Sequence, residues 1–460
     1  MNDDFLWMPN PDVRKRLVAD NILLFNVKTN QLLLINDQAS FIWDQFRPLS
    51  YLRNSELLSL LAREYESAPQ EVLRSDVDDF LRDLENQGFI RCDGESFKTQ
   101  GVDIKDGQDD KLGHFAFSES LHNVAAELKV PISGCIEITQ RCPLRCLHCY
   151  ISNKPAIKGQ ELTTGEIMDL LDQMAECGCL WLLITGGEPL IRKDFCEIYL
   201  HAKNLGMIIT VFTGAINLDE KIIKLFSEYP PFLVEATLHG VTEKTFDAIT
   251  GIDGSFQKFQ RGIKLLRESK IPFHLKMIVM RQNVQEVEAA HKLALDLGAD
   301  DFRFDSMINA DFHHSPKARE LRISVEDALK LDLIEPYKNR WQRIYRNALA
   351  KKKESRKNYL FPCRAGRCSF TISADGYLLP CILMRTPSYN LRQMSFGEGW
   401  ASLTSRVDKL RMSKNNLCLQ CSVKTCSKCP AWGYLEHDNP NSKSLFACTL
   451  QREREKIFLP

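Results

Sequence analysis

The chain has 460 residues, 44% hydrophobic and 26% charged, a length that predicts two to four domains. Its 60 Lys and Arg balance 60 Asp and Glu, which argues against a broad nucleic-acid or membrane-surface binder. No apolar run approaches the ~20 residues of a membrane helix.

The start, MNDDFLWMPNPD, is acidic and lacks the basic and apolar regions of a signal peptide, so a cytoplasmic protein is expected. In that reducing compartment, 16 cysteines point to metal or cluster ligation.

Residues 1–95 read as a small α/β module. Apolar segments at 22–28 and 32–36 flank a Thr-Asn-Gln turn and predict a hairpin. Asp37 is placed to cap a helix running to Phe46. Further helices are expected near 54–65 and at 69–87. The last carries Val72, Val77, Phe80 and Leu84 on one stripe, with Gly88 as its stop. The polar stretch DIKDGQDDKLG marks 96–130 as a linker.

Strand and helix patterns then alternate. Strands are expected at 132–139, 180–185, 207–213, 231–238, 273–280 and 301–305. Thr163 and Glu166 form a capping box, opening a helix whose Ile167, Leu170, Leu171 and Met174 make one stripe that ends at Gly178. Six such units predict an α/β fold, a parallel sheet closed or nearly closed into a partial TIM barrel over 131–345. Its chemistry belongs at the C-terminal ends of the strands. Residues 311–360 are charged and mostly helical in pattern. The domain 346–460 holds half of the cysteines with little periodicity, so it would need metal staples to stay folded.

Cys142-Pro-Leu-Arg-Cys146-Leu-His-Cys149 follows the first barrel strand. Three thiolates can hold three irons of a [4Fe–4S] cube and leave the fourth open to a substrate group. A zinc site with one distant ligand is the alternative. Thr185-Gly186-Gly187-Glu188-Pro189 ends the second strand. Paired glycines let backbone approach a ligand, and Glu188 offers a carboxylate to an ammonium group. By itself this motif could be a plain turn. Together, the two motifs resemble the radical SAM (S-adenosylmethionine) superfamily over residues 131–310. The resemblance implies that Cys142, Cys146 and Cys149 hold a cluster chelated by the amine and carboxylate of SAM. It further implies that Gly186, Gly187, Glu188 and Pro189 contact the amine, and that Thr213 and Thr237 lie near SAM at the next two strand ends. His239 stands where many relatives carry an acid near the SAM ribose. Lys276 and Arg281 flank the end of the fifth strand and read as solvated or structural charges.

The C-terminal set is Cys363, Cys368, Cys381, Cys418, Cys421, Cys426, Cys429 and Cys448, eight cysteines, enough to saturate two four-iron clusters. Zinc is the alternative, but only four residues separate the two Cys-x2-Cys pairs, far fewer than in a zinc ribbon. The pattern resembles the SPASM extension of radical SAM peptide-modifying enzymes. That implies a first auxiliary cluster on Cys363, Cys368, Cys381 and Cys429, and a second on Cys418, Cys421, Cys426 and Cys448. Ile382 stands where sulfatase-maturing relatives carry an Asp base, which argues against that reaction. Cys92, Cys135, Cys177, Cys179 and Cys196 read as buried small hydrophobes.

Residues 1–95 resemble the PqqD-like recognition element of ribosomal-peptide maturases. The resemblance implies a leader peptide added along a strand edge and lined by Leu32, Leu33, Leu34 and part of helix 69–87. A DNA-binding winged helix is the alternative, disfavoured by the acidic SDVDDFLRDLEN. The resemblances imply a radical SAM enzyme with SAM and three [4Fe–4S] clusters. It would take a hydrogen atom from a precursor peptide, forming a thioether or carbon–carbon crosslink, with electrons from a donor such as flavodoxin or ferredoxin. The other readings are a related enzyme acting on a small molecule such as a tetrapyrrole, and a non-catalytic zinc- and DNA-binding regulator.

Overall fold

The structure, a computed structural model, describes residues 5–18, 21–66, 68–97, 119–151, 159–350 and 358–459. In the N-terminal region β1 (Leu6–Pro9), β2 (Val13–Val18), β3 (Asn21–Asn26), β4 (Leu32–Ile35), β5 (Leu52–Arg53) and β6 (Ile90–Cys92) form two small sheets, β5-β1-β6 and β2-β3-β4. The expected hairpin is β3–β4, antiparallel with Ile22 opposite Ile35. Helices Asp37–Asp44, Asn54–Glu64 and Gln70–Asn86 pack on these sheets around Trp7, Leu57, Leu81, Leu84 and Phe89. The first helix is capped by Asn36, which accepts from Ala39 N, rather than by Asp37. Val72, assigned to the apolar stripe of the third helix, is exposed.

Strand β2, Val-Arg-Lys-Arg-Leu-Val, was not among the expected strands. Its two arginines turn onto the barrel, whereas Lys15 pairs with Asp44 of the first helix. The Arg16 guanidinium donates to Leu205 O (2.7 Å), Cys179 O (2.9 Å) and Ala175 O (3.0 Å), carbonyls near the ends of two barrel helices. Part of the expected linker is also structured. Residues 119–128 are helical, and Leu121 and Ala125 are buried in one cluster with Phe25, Leu180 and Cys368.

The barrel strands are β7 (Ser133–Thr139), β8 (Trp181–Gly186), β9 (Ile208–Thr213), β10 (Leu233–Thr237), β11 (Phe273–Ile278) and β12 (Asp301–Asp305), each parallel to the next. The apolar runs of β8 and β9 suit a parallel sheet covered by helices. The capping box at Thr163 is present. The barrel is open, because the sheet does not pair β12 back to β7. Instead β7 pairs in parallel with β13 (Ser369–Ile372), which continues into β14 (Tyr377–Leu379) and β15 (Tyr389–Asn390). The cysteine-rich region is therefore more regular than its sequence suggests. Helices Phe396–Lys409, Pro430–His437 and Leu445–Phe458 belong to it, and Phe370, Phe396 and Trp400 enter the main core. Among the described residues, no helix is long and apolar enough to cross a membrane.

Candidate functional site

A cavity of about 1050 Å³ opens at the C-terminal ends of the barrel strands. Every barrel strand or the loop after it contributes to its wall: Cys142, Cys146 and Cys149 after β7, Gly186–Glu188 on β8, Thr213 and Gly214 on β9, Glu235 and Thr237 on β10, Lys276 on β11 and Asp305 on β12. Pro189 does not line it. That residue is buried and opens the single turn Pro189–Ile191, so it turns the chain away from the cavity.

The paired glycines are dictated by backbone proximity. A Cβ at Gly186 would sit 2.1 Å from Thr139 O, and one at Gly187 2.3 Å from Arg141 O. Gly186 also has φ of +142°, open only to glycine at low cost. Gly187 N donates to Thr139 O at 2.7 Å and Glu188 N to Arg141 O at 2.9 Å. The glycines thus fasten the β8 turn to the start of the cysteine loop, a closer partner than the ligand approach expected from sequence.

Glu188 is 1% exposed. Its carboxylate accepts from Thr213 Oγ1 (2.7 Å), Gly214 N (2.7 Å) and Leu190 N (3.2 Å), all neutral donors. Burial raises its pKa against those three bonds. A buried carboxylate facing neutral donors calls for a cation. Thr213 therefore acts on the cavity through Glu188.

Burial likewise keeps the nearby thiols protonated: Cys142 is pushed up to about 12 and Cys146 is raised further, each also by the neighbouring cysteines. A bound metal would reverse that preference, because it is thiolate that ligates. Among the described residues, no three His, Cys, Asp or Glu side chains gather as for one ion.

His239 is 4% exposed and its Nε2 lies 3.8 Å from Cys146 Sγ, so it faces the cysteine loop. His148 lies 5.3 Å from it, ring to ring. Burial lowers the pKa of both, His148 to about 4, so both rings are neutral. His148 Nδ1 is buried without a hydrogen-bond partner among the described residues. Lys276 is not solvated: its Nζ is 2.7 Å from Glu235 Oε1 and 3.8 Å from the Phe212 ring centroid. Arg303 bonds the other oxygen of Glu235. Despite burial, these two cations hold Glu235 below the usual carboxylate range. Arg281 lies elsewhere, donating to Arg322 O at 2.9 Å.

The C-terminal cysteines fall into two electrostatically linked groups. Cys363 acts on Cys368, Cys381 and Cys429, and Cys381 also on Cys429. Cys421 acts on Cys418, Cys426 and Cys448, Cys418 on Cys426 and Cys448, and Cys426 on Cys448. Burial pushes Cys368 and Cys381 up to about 11 and Cys429 to about 12. Of the five remaining cysteines, Cys135 and Cys179 are buried as expected, whereas Cys92, Cys177 and Cys196 are only partly so.

Sequence reasoning missed Glu235 and Asp305. Both are carboxylates at or near the ends of apolar strands, and strand position in a barrel is the signal that could have found them.

Three family models match the chain: Coenzyme PQQ synthesis protein D (PqqD) at residues 21–90, the Radical SAM superfamily at 136–294, and the SPASM iron–sulfur cluster-binding domain at 363–430. The AdoMet-dependent heme synthase of Methanosarcina barkeri is 25% identical over 65% of this chain and 90% of its own length. The PqqA peptide cyclase of Bradyrhizobium diazoefficiens is 30% identical over 40% of this chain, a match that spans about half (48%) of the cyclase. The fold of Streptococcus suis SuiB, in its crystal structure bound to precursor peptide SuiA, superposes with a TM-score of 0.59. That match covers 96% of this chain and 99% of SuiB at 14% identity. A radical SAM domain followed by a SPASM domain implies a [4Fe–4S] cluster working with SAM. By these matches the chain carries, in order, a PqqD-like, a radical SAM and a SPASM domain.

Proposed function

We propose that the chain is a radical SAM peptide maturase that crosslinks a ribosomally made precursor through a thioether or carbon–carbon bond. The observation that carries this reading is Glu188. It is a buried carboxylate with three neutral donors, in the same cavity wall as Cys142, Cys146 and Cys149. Such a carboxylate suits the ammonium of SAM, and the three thiols suit a cluster with one open iron. With that cluster and SAM in place, the pair supplies a 5′-deoxyadenosyl radical that takes a hydrogen atom from the peptide.

The chain's own residues do the rest. Gly186 and Gly187 keep the Glu188 turn against the cysteine loop, Thr213 orients the carboxylate, and Thr237 lines the wall beyond it. The barrel excludes water and fixes the target hydrogen. Cys363, Cys368, Cys381 and Cys429 would hold one auxiliary cluster, and Cys418, Cys421, Cys426 and Cys448 the other, to take the electron released as product forms. The PqqD-like domain would bind the leader along β4, a sheet edge whose Leu34 is 47% exposed. Flavodoxin or ferredoxin in the cytoplasm would deliver electrons. Likeness over 90% of the length of a heme synthase favours a tetrapyrrole as second substrate class. The leader-binding domain tips the balance to a peptide.

Anaerobic enzyme, dithionite, SAM and a peptide encoded beside the gene should yield 5′-deoxyadenosine and a peptide lighter by two hydrogens. An unmodified peptide, with 5′-deoxyadenosine formed only when an iron tetrapyrrole is added, would replace this reading with the second.

A further inference from the structure

The second cysteine group sits at a surface with unusual chemistry. Leu417, directly before Cys418, is 58% exposed, and Leu445, one helical turn before Cys448, is 68% exposed. The two leucine-bearing segments are fastened together: Ser413 N and Asn416 Nδ2 donate to Asn441 Oδ1 at 2.8 and 3.1 Å. Between residues 413 and 428 stand Lys414, Lys424 and Lys428 and no acid, and exposed Lys443 lies beside Leu445.

Leu445 and Thr449 also line a groove of about 920 Å³, whose far wall carries exposed Arg281 and Arg319. The acids of that groove are already answered. Glu436 is paired with buried Arg322 at 2.7 Å and accepts from Ser444 Oγ, and Asp327 is held by Ser324 and Lys330. Asp438 faces His314, and Glu455 caps Lys424 N and Thr425 N. Glu320, beside Arg319, does not line the groove.

An apolar centre within a cationic rim is the anatomy of a transient, electrostatically steered interface. We infer that this face, from Leu417 and Lys414 across Leu445 to Arg319, docks a small acidic one-electron carrier protein and passes its electron in through the Cys418/Cys421/Cys426/Cys448 group. The inference rests on the proposed function for the presence of a cluster there. The leucines supply contact area beside Cys418 and Cys448, both of which are partly exposed. The cations supply orientation and on-rate, which makes the encounter sensitive to salt.

The test uses the reconstituted full chain and a bacterial flavodoxin. Calorimetry of flavodoxin binding is run at low and moderate salt. The electron-transfer assay follows flavodoxin hydroquinone oxidation and 5′-deoxyadenosine formation. The triple variant Arg319→Glu/Lys414→Glu/Lys443→Glu should bind at least tenfold more weakly and lose the salt dependence, and should oxidise flavodoxin at least tenfold more slowly. Its dithionite-driven 5′-deoxyadenosine formation should match wild type. Leu445→Asp, at an exposed helix start, should weaken binding in the same assay. Wild-type binding too weak to measure, or equal binding and equal flavodoxin oxidation by wild type and triple variant, overturns the docking face. Absence of 5′-deoxyadenosine with dithionite in the wild type overturns the proposed function instead, and the binding arm still decides the docking face.

Discussion

Lys203 Nζ donates to Asn30 Oδ1 at 2.7 Å and to Pro230 O at 2.9 Å, so one barrel lysine ties the PqqD-like domain to the barrel floor. The Phe25 ring centroid lies 5.4 Å away. The lysine is fully buried, and burial pulls its pKa down to about 7. In the unfolded chain a lysine titrates near ~10.4. Between the two values the unfolded chain binds the extra proton, so stability rises with pH in that window and is lost as pH falls through about 7. Urea titrations should show wild type gaining about 2–3 kcal/mol between pH 7 and 9.5 from this group. Lys203→Met should lack that gain. Parallel pH profiles for the two proteins would disprove the assignment.

Gly187→Ala places a methyl 2.3 Å from Arg141 O. The turn and the cysteine loop must then separate, shifting Glu188 and the thiols together. We expect at least a tenfold loss of 5′-deoxyadenosine formation, about 1.4 kcal/mol or more in barrier, accompanied by lower iron content. Gly165→Ala, whose Cβ meets nothing within 4 Å, serves as the control and should behave as wild type.

Glu188→Gln keeps the size of the side chain and removes its charge. A charge-assisted hydrogen bond contributes about 1.5–3 kcal/mol, so SAM affinity should fall about 10–100-fold by equilibrium dialysis, with iron content retained. Unchanged SAM affinity would remove Glu188 from the ammonium site.

Cys429 and Cys426 are close in sequence yet belong to different groups in space. Wild type should carry about a dozen irons if each cluster is a four-iron cube. Cys381→Ala/Cys429→Ala, within one group, should lose about four irons. Cys426→Ala/Cys429→Ala, across groups, should lose about eight. Equal losses in the two double variants would redraw the ligand sets, and a colourless zinc protein would end the cluster reading.

Much of this was legible in the sequence because periodicity and spacing are local. The barrel strands fell near their expected positions, since continuous apolar runs between helices have few other uses. The cavity gathered both motifs because the C-terminal ends of parallel strands meet. What stayed hidden depends on partners distant in sequence. Strand β2 had no place among the sequence expectations, and the partners of its Arg16 are helix-end carbonyls some 159–189 positions away. Whether Lys276 was solvated or structural was left open by the sequence, because its partner Glu235, 2.7 Å away, lies on the neighbouring strand. Asn36 took the capping role from Asp37 by a one-residue shift that propensity alone does not resolve.

The strand β13 has a consequence for the architecture as a whole. By pairing with Ser133–Ile136 it covers the flank of the very strand that leads into Cys142. An uncovered strand flank is a template for aggregation. The SPASM domain is therefore no detachable appendage: cutting the chain before Ser369 would bare β7, and exchanging this domain between relatives would mean matching a strand as well as a set of cysteines. The cysteine-rich domain and the barrel cavity are joined by one row of backbone hydrogen bonds.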